Sequence, residues 1–267
     1  MTPIDQLLTS RSLMLQIASV SEVGDRTTNQ DALACAQKDH LTCLVVSDGA
    51  GGHAGGEVAS RLVVDAVTDS FLRELSFSPR ALQSYLQQAA DHVGAGRRAA
   101  GMADMSATVA VVLIDQENGA ALYGHLGDTR IYLLRAGRVQ YVTKDHSLVQ
   151  QFVDAGYLSA DKMRSHPQRS VLFAAIGPEH EQAPIISTDA VALVDGDALL
   201  ICTDGLWEWL TDDDILRCLA NARSPDEWLV SLCEQAAQCS RTMPRQRDNF
   251  SAQAAWFRTS THLASAS

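Results

Sequence analysis

The sequence has few basic residues for its size. Its 267 residues include 21 lysines and arginines against 32 aspartates and glutamates, a formal net charge of −11 at pH 7. Binding to nucleic acid or to an anionic membrane requires a basic surface that neutralises phosphates. The composition therefore predicts neither a nucleic-acid-binding protein nor a protein held at a membrane surface.

Long apolar runs and paired cysteines are also missing. No apolar stretch reaches the roughly 20 residues that span a bilayer, and residues 1–20 lack the basic start and apolar run of a signal peptide. The six cysteines form no Cys-x-x-Cys pair, and we expect them to be buried, reduced thiols within strands and helices. Together these absences predict a cytoplasmic protein without a membrane segment.

Two nucleotide-binding motifs are absent or incomplete. The sequence contains no P-loop of the form GxxxxGK[ST]. Residues 49–54 (GAGGHA) formally match the dinucleotide-binding pattern GxGxxA. However, Asp48 would place a negative charge beside the pyrophosphate, and the residues after the motif are predicted helical where a second strand is needed. Dinucleotide binding is therefore disfavoured.

The sequence does contain enough apolar material for a sizeable core, with 46% hydrophobic residues. Short runs rich in β-branched residues predict strands. Turn signals at 117–119, 136–137 and 195–197 favour antiparallel hairpins. The predicted strands are 13–20, 41–46, 107–114, 120–126, 130–134, 139–142, 191–194 and 198–202.

Helical periodicity marks four longer segments, at about 55–75, after Pro79, and at 212–222 and 225–239. Strands in two groups with helices between them predict two packed sheets with helices outside. We expect a single domain over 1–258 and a loose tail at 259–267. In the first helix the predicted buried stripe is Val58, Leu62, Val63, Ala66, Val67 and Leu72.

Three predicted strands run directly into an aspartate beside a glycine. They end at Asp48-Gly49, at Asp128 after Gly127, and at Asp204-Gly205. A strand end holds a carboxylate rigidly, and a neighbouring glycine lets the backbone approach an ion. A hairpin turn is the alternative explanation of Asp-Gly, and we accept it for residues 195–197, but predicted helices follow Asp48 and Asp204. Asp128 could instead cap backbone amides of its hairpin.

Carboxylates without matching histidines favour hard cations such as Mg²⁺ or Mn²⁺, and no HExxH zinc motif occurs. Two such ions about 3.5–4 Å apart can lower the pKa of a bridging water and stabilise in-line displacement at phosphorus. Unmetallated aspartates would repel a phosphate dianion. The pattern therefore predicts metal-dependent hydrolysis of a phosphate ester, which a chelator should abolish.

Eight segments occur in the order found in one enzyme family: GDRTTNQD (24–31), VSDGAGGH (46–53), MSAT (105–108), GDTRIY (127–132), TKDHS (143–147), AIG (175–177), CTDGLW (202–207) and RDNFS (247–251). Through them the chain resembles the metal-dependent type 2C protein serine/threonine phosphatases over almost its whole length, in their bacterial single-domain form. The resemblance implies an α+β fold, a four-layer α/β/β/α sandwich of two antiparallel sheets flanked by helices. It also implies a flap at about 146–184 that meets the substrate protein.

The resemblance also assigns residue roles. Asp48 would bridge two Mn²⁺ or Mg²⁺ ions, and the Gly49 carbonyl would bind the second ion. Asp204 and Asp248 would complete the first site, and Asp128 with Asp204 would hold a third ion. The remaining roles fall to Arg26, Gln30 and Asp31: Arg26 would bind the phosphate through paired donors, whereas Gln30 and Asp31 would act through metal-bound water. A hydroxide bridging the metals would hydrolyse phosphoserine and phosphothreonine.

The chain departs from the family pattern at two positions and in one segment. Gln30 replaces the usual glutamate, which removes a negative charge near the second metal. Ala50 occupies the place of a histidine or methionine and cannot donate a proton to the leaving group. The last predicted strand, 250–257, has an atypical sequence that should affect packing at the sheet edge.

The resemblance implies phosphorylated protein substrates, an opposing serine/threonine kinase and a monomeric protein. A non-catalytic phosphatase-like interaction module and a phosphatase for small phosphate esters are the alternatives. Intact Asp48, Asp204 and Asp248 count against the first, and the long flap favours a protein over a small ester. Trp207 and Trp209 are predicted to be core aromatics.

Overall fold

The protein folds into two antiparallel sheets and two layers of helices. A computed structural model describes residues 13–50, 52–102, 104–177, 182–243 and 245–259, without the side chains of 52–54. The elements are β1 (Leu13–Glu22), β2 (Asp31–Lys38), β3 (Leu41–Ala50), α1 (Gly52–Arg73), α2 (Pro79–Ala100), β4 (Ser106–Ala107), β5 (Val109–Asp115), β6 (Ala120–Leu126), β7 (Arg130–Arg135), β8 (Arg138–Val142), α3 (Leu148–Asp154), a 3₁₀ helix (Ala160–Ser165), β9 (Ile185–Ile186), β10 (Val191–Ala192), β11 (Ala198–Cys202), α4 (Asp204–Trp207), α5 (Asp212–Asn221), α6 (Pro225–Ser240) and β12 (Phe250–Thr259).

The two sheets have the strand orders β1-β12-β11-β7-β8 and β10-β6-β5-β3-β2, with β4 pairing with β3 and β9 with β6. Their facing sides share one apolar cluster, in which Val46 and Val112 of the second sheet meet Ile201 and Phe257 of the first. α1 and α2 cover the second sheet, and α4, α5 and α6 cover the first. The predicted four-layer α+β sandwich is confirmed.

The buried face of α1 differs from the predicted stripe. Val63 and Val67 are fully buried, as expected, and Phe71 continues the row one turn later. Val58 and Leu72 are 42% and 41% exposed, so the stripe was too wide. A spacing of four residues keeps side chains on one face, whereas Val58 and Leu72 lie about 100° away from their buried neighbours.

Asp195-Gly196 is a turn but not a hairpin, which corrects the sequence-based interpretation. It joins β10, paired with β6 in the second sheet, to β11, paired with β7 and β12 in the first. Asp197 fixes this crossing, because its buried carboxylate accepts from the Val194 amide at 2.9 Å and pairs with Arg135 at 2.7 Å. The local turn signal cannot specify which sheet receives the next strand.

β12 lies inside its sheet, between β1 and β11, so the expected position at the sheet edge was wrong. Ala252 and Ala254 face the helices, and Ala255 faces the other sheet. These small residues fit a strand covered on both sides. The strand extends to Thr259, one residue past the predicted domain end, and residues 260–267 of the predicted tail lie outside the described chain, as do residues 1–12.

β2 was not predicted, because its sequence DALACAQK contains no β-branched residue. It forms an edge of the second sheet, which leaves Cys35 exposed and corrects the prediction that all six cysteines are buried. All six are free thiols. Trp207 and Trp209 are buried as predicted. No described helix is both long enough and apolar enough to cross a membrane.

Alanine at position 205 should destabilise the protein, because its Cβ would clash with the Asn249 carbonyl oxygen. We expect Gly205→Ala to lower the free energy of unfolding by about 1–3 kcal/mol through the forced displacement of α4. Gly94→Ala in α2 is the control, since its Cβ would meet only the flexible Arg98 side chain at 3.5 Å. It should leave stability equal or raise it by about 0.5–1 kcal/mol in urea unfolding. Equal losses in both variants would contradict the clash.

Candidate metal centre

A pocket of about 570 Å³ opens at the end of the sandwich where the loops of both sheets meet. One wall carries the side chains of Asp48, Asp128, Asp204 and Asp248, with Arg26 and Gln30 beside them. The apolar part of the lining consists of Ala50, Ala107, Leu172, Phe173, Ala174 and Ala175. The pocket therefore brings four carboxylates from separate parts of the chain against an apolar wall that is largely supplied by the predicted flap.

Asp48 is held at the end of β3 by its backbone. Its amide donates to the Thr108 hydroxyl at 2.9 Å, and its carbonyl accepts from the Thr108 amide at 2.8 Å. The Thr108 and Thr129 hydroxyls lie 2.6 Å apart, which ties this strand to the loop carrying Asp128. Gly49 also lines the pocket, and its amide donates to the Gln30 carbonyl at 3.1 Å. The sequence motifs contained both threonines, but gave them no role.

Asp31 lies behind this wall, directly opposite Asp48 in the β2–β3 ladder. Its Oδ2 accepts from the Thr203 hydroxyl at 3.0 Å, whereas its buried Oδ1 has no hydrogen-bond partner. Asp204, next to Thr203, is the first residue of α4 and lines the pocket. Asp31, Asp48 and Asp204 therefore converge, although 173 positions separate the first from the last.

Asp128 is positioned through its backbone and through Trp207. The Trp207 indole donates to the Asp128 carbonyl at 2.9 Å. The Arg130 guanidinium lies 3.5 Å above the Trp207 ring and donates two bonds of 2.8 Å to the buried Asp145 carboxylate. Trp207 is thus a core aromatic that also fixes a pocket loop. The side chain of Asp128 lines the pocket with Asp204, which favours ion binding over the alternative role in capping the hairpin.

Asp248 is the most exposed of the four carboxylates. Its side chain is 45% exposed and forms an ion pair of 2.6 Å with Arg26, which is 54% exposed. Asn249 fixes this corner because its side chain donates to the carbonyls of Val23 and Thr28, both at 2.8 Å, and accepts from the Gln30 amide at 2.9 Å. Asn249, the residue after Asp248, thereby ties this part of the chain to the 23–30 loop. The sequence did not reveal this role.

The buried carboxylates disfavour each other's negative charge. Burial raises the pKa of Asp48, Asp128 and Asp204 above the usual range, and the neighbouring carboxylates raise it further. Burial also raises the pKa of Asp31 to about 7, although the Ser251 and Thr203 contacts lower it. Without cations, the pocket is therefore an unfavourable place for four ionised side chains.

The donor set fits hard divalent cations. The pocket residues that the structure describes offer carboxylate and carbonyl oxygens and no histidine or cysteine, and Asp31 adds a buried oxygen without a partner. Among the described residues, no three acidic, histidine or cysteine side chains are close enough together to hold a metal ion by themselves. Mg²⁺ and Mn²⁺ accept such incomplete sets, because Mg²⁺ usually retains several water ligands and both prefer oxygen.

Comparison with known proteins points to one family. The sequence profile described as Protein phosphatase 2C matches residues 20–243. The chain is 32% identical over 221 residues to the serine/threonine protein phosphatase PstP of Mycobacterium tuberculosis, covering 78% of this chain and 39% of that protein. It is 30% identical over 210 residues to the protein phosphatase PhpP of Streptococcus pneumoniae, covering 75% of this chain and 82% of that one.

A solved structure agrees with the sequence matches. The catalytic domain of PstP in complex with two manganese ions superposes with a TM-score of 0.78 at 28% identity. The superposition covers 92% of this chain and 99% of the solved one. The likeness therefore extends over almost the entire chain.

The metal-free protein should lose stability as the pH rises from about 6.5 through the folded pKa of Asp31, which is about 7. The pKa values of Asp31, Asp48 and Asp204 in the folded state lie above the unfolded value of about 3.9. These carboxylates therefore hold protons more tightly in the folded state. The folded state therefore binds more protons, and the free energy of unfolding falls by about 1.4 kcal/mol per pH unit for each excess proton. Below about pH 6.5, His125 and His146 act in the opposite direction, because burial lowers the pKa of both.

The measurement is the thermal midpoint across this pH range, with EDTA and with excess Mn²⁺. The midpoint should fall with pH in EDTA and stay level or rise with Mn²⁺, since cations stabilise the ionised carboxylates. Identical pH profiles under the two conditions would contradict a metal centre in this pocket.

Proposed function

The chain belongs to the type 2C family of metal-dependent protein serine/threonine phosphatases, and from this we propose that its four-carboxylate pocket removes phosphate from phosphoserine and phosphothreonine side chains of proteins. The observation that carries the proposal is the convergence of Asp48, Asp128, Asp204 and Asp248 on one pocket. Their separation in sequence means that the whole fold is needed to assemble it.

The enzyme works with two or three Mn²⁺ or Mg²⁺ ions. In our proposal Asp48 would serve both principal ions, the Gly49 carbonyl would serve the second, and Asp204 and Asp248 would serve the first. Asp128 with Asp204 would hold the third. When bound, these cations supply a water of lowered pKa and neutralise charge on the phosphate. Gln30 and Asp31 contribute indirectly, and the partnerless Oδ1 of Asp31 is suited to hold an ordered water.

Arg26 is proposed to bind the phosphate. Its guanidinium lies at the pocket edge, more than half exposed, and its single described ion-pair partner is Asp248. A planar guanidinium can give two parallel hydrogen bonds to phosphate oxygens. Ala50 lines the pocket but offers no proton, so the leaving oxygen must take its proton from water or from another group.

We also propose that the domain acts as a monomer in the cytoplasm and opposes a serine/threonine kinase. The absence of paired cysteines and the acidic surface support this setting. A non-catalytic module is disfavoured because four mutually repelling carboxylates destabilise a pocket that binds no cation. A small-ester phosphatase is disfavoured because the flap adds an apolar wall that a small ester does not need.

Asp204→Asn should abolish Mn²⁺-dependent cleavage of an aryl phosphate and of a phosphothreonine peptide. We expect kcat/KM to fall at least about 100-fold, since a ligand shared by two ion sites is lost. Asp213→Asn is the control, because Asp213 is exposed on α5 and the charge change is identical. Comparable activity in wild type and Asp204→Asn would discard the metal assignment.

Arg26→Ala should mainly raise KM, by about tenfold or more, because a charge-assisted bidentate contact with phosphate is lost. Arg26→Lys should recover only part of the loss, since a lysine cannot make both bonds. Mn²⁺ affinity is measured in parallel, because Arg26 also contacts Asp248. An unchanged KM in Arg26→Ala would remove its phosphate role.

A further inference from the structure

Glu208 lies one helical turn after the pocket residue Asp204. It follows α4 directly, and its amide donates to the Asp204 carbonyl at 2.9 Å. Its side chain is only 8% exposed, although it is a carboxylate. One helical turn therefore joins the proposed metal ligand Asp204 to a buried acidic side chain that has no part in the proposed chemistry.

Two arginines from different segments share the Glu208 carboxylate. Arg169 Nε lies 2.6 Å from Oε1, and Arg245 Nη2 lies 2.8 Å from Oε2. Their side chains are 26% and 22% exposed, and the Arg245 guanidinium also stacks on Trp209 at 4.0 Å. Burial of this degree reduces screening by salt, so the three charges interact more strongly than surface pairs do.

The two arginines connect Glu208 to segments that carry pocket residues. Arg169 belongs to the flap and immediately precedes Ser170, which lines the pocket together with residues 172–175. Arg245 precedes Asp248 by three positions. A second flap arginine, Arg164, donates to the Trp207 carbonyl at 3.3 Å. The flap is therefore fastened to the same short helix that begins with Asp204.

Removing the central acid would leave two arginines facing each other without a counter-ion. A broken buried ion group is strongly destabilising locally, because the remaining charges stay partly desolvated. We expect the flap to shift around Arg169, because this residue is tied to α4 through Glu208, whereas Ile176, seven positions later, is held separately by two backbone hydrogen bonds of 2.8 Å with Ala107. The backbone bonds from Leu148 to Val171 at 2.8 Å and from Phe173 to His146 at 3.0 Å join parts of the flap to each other.

We propose that Glu208, through Arg169 and Arg245, is a positioning residue that holds the flap wall in place for phosphorylated protein substrates. The proposal rests on the proposed phosphatase function and adds a determinant of substrate class to it. Phe173, which is 40% exposed and lines the pocket, is the flap side chain available to a residue flanking the phosphate. A small ester occupies the carboxylate side and does not require this wall.

Steady-state kinetics with two substrates test the proposal. At pH 8, KM for a phosphothreonine peptide should rise at least about tenfold in Glu208→Gln, while kcat/KM for a small alkyl phosphate should change less than about threefold. The assay is run at pH 8 because burial and the Asp204 charge raise the pKa of Glu208 to about 7. Asp212→Asn is the matched control, since it removes the 54% exposed partner of Arg164, another flap arginine, at 3.5 Å.

A double-mutant cycle of Glu208 and Arg169 tests whether their ion pair is the contact that holds the flap. Arg169→Gln should reproduce the rise in peptide KM, and adding it to Glu208→Gln should cause little further change, because both remove the same contact. Arg169→Gln also keeps the test valid if Glu208→Gln does not fold. Additive effects, or an unchanged peptide KM in folded variants, would overturn the proposal.

Two further measurements separate the possible failures. Amide hydrogen exchange at residues 169–176 should accelerate in Glu208→Gln and not in Asp212→Asn, whether or not the protein is active. If Glu208→Gln lowers kcat/KM equally for both substrates and also weakens Mn²⁺ binding, Glu208 acts on the metal ligands. That result would overturn its role in the flap. Wild-type protein inactive on both substrates would refute the proposed function, while the exchange result would still decide whether Glu208 holds the flap.

Discussion

Mutual repulsion between buried carboxylates is the constraint on which this structure depends. Asp48, Asp128 and Asp204 line one pocket, with Asp128 buried and the other two half-buried, and desolvation together with their neighbours' charges raises the pKa of each. Divalent cations are the natural compensation, because they reverse the sign of the local charge and then attract a phosphate dianion. The same energetic conflict that destabilises the metal-free pocket would thus favour the binding of hard cations and, through them, of phosphate esters.

The scaffold maintains this unfavourable cluster by fixing backbones rather than side chains alone. Thr108 holds Asp48 through two backbone hydrogen bonds, Trp207 holds the Asp128 loop, and Asn249 ties the chain beside Asp248 to the 23–30 loop. Each anchor lies in or beside a sheet that is buried on both faces. Rigid strand ends therefore present the carboxylates at fixed positions, which is the preorganisation that electrostatic catalysis requires.

The opposite wall of the pocket has a different character. The flap contributes Leu172, Phe173 and two alanines, which are suited to contact a peptide chain rather than a phosphate. Ion pairs of Glu208 with Arg169 and Arg245 join the flap to α4, which begins with the pocket residue Asp204. The pocket carboxylates and the apolar flap residues thus belong to separate segments that are joined at α4.

The layered fold, the aspartates at the strand ends and the chemistry they favour could be predicted from the sequence, because β-branched runs, helical periodicity and Asp-Gly strand ends are local features. Three features could be seen only in the tertiary structure. The chain crosses to the first sheet at Asp197, and the alanine-rich β12 lies in the interior of that sheet. Glu208 forms ion pairs with two arginines from distant segments. These outcomes depend on pairing between residues far apart in the chain. Local periodicity carries no information about which partner is chosen, whereas packing and charge compensation in the folded molecule do.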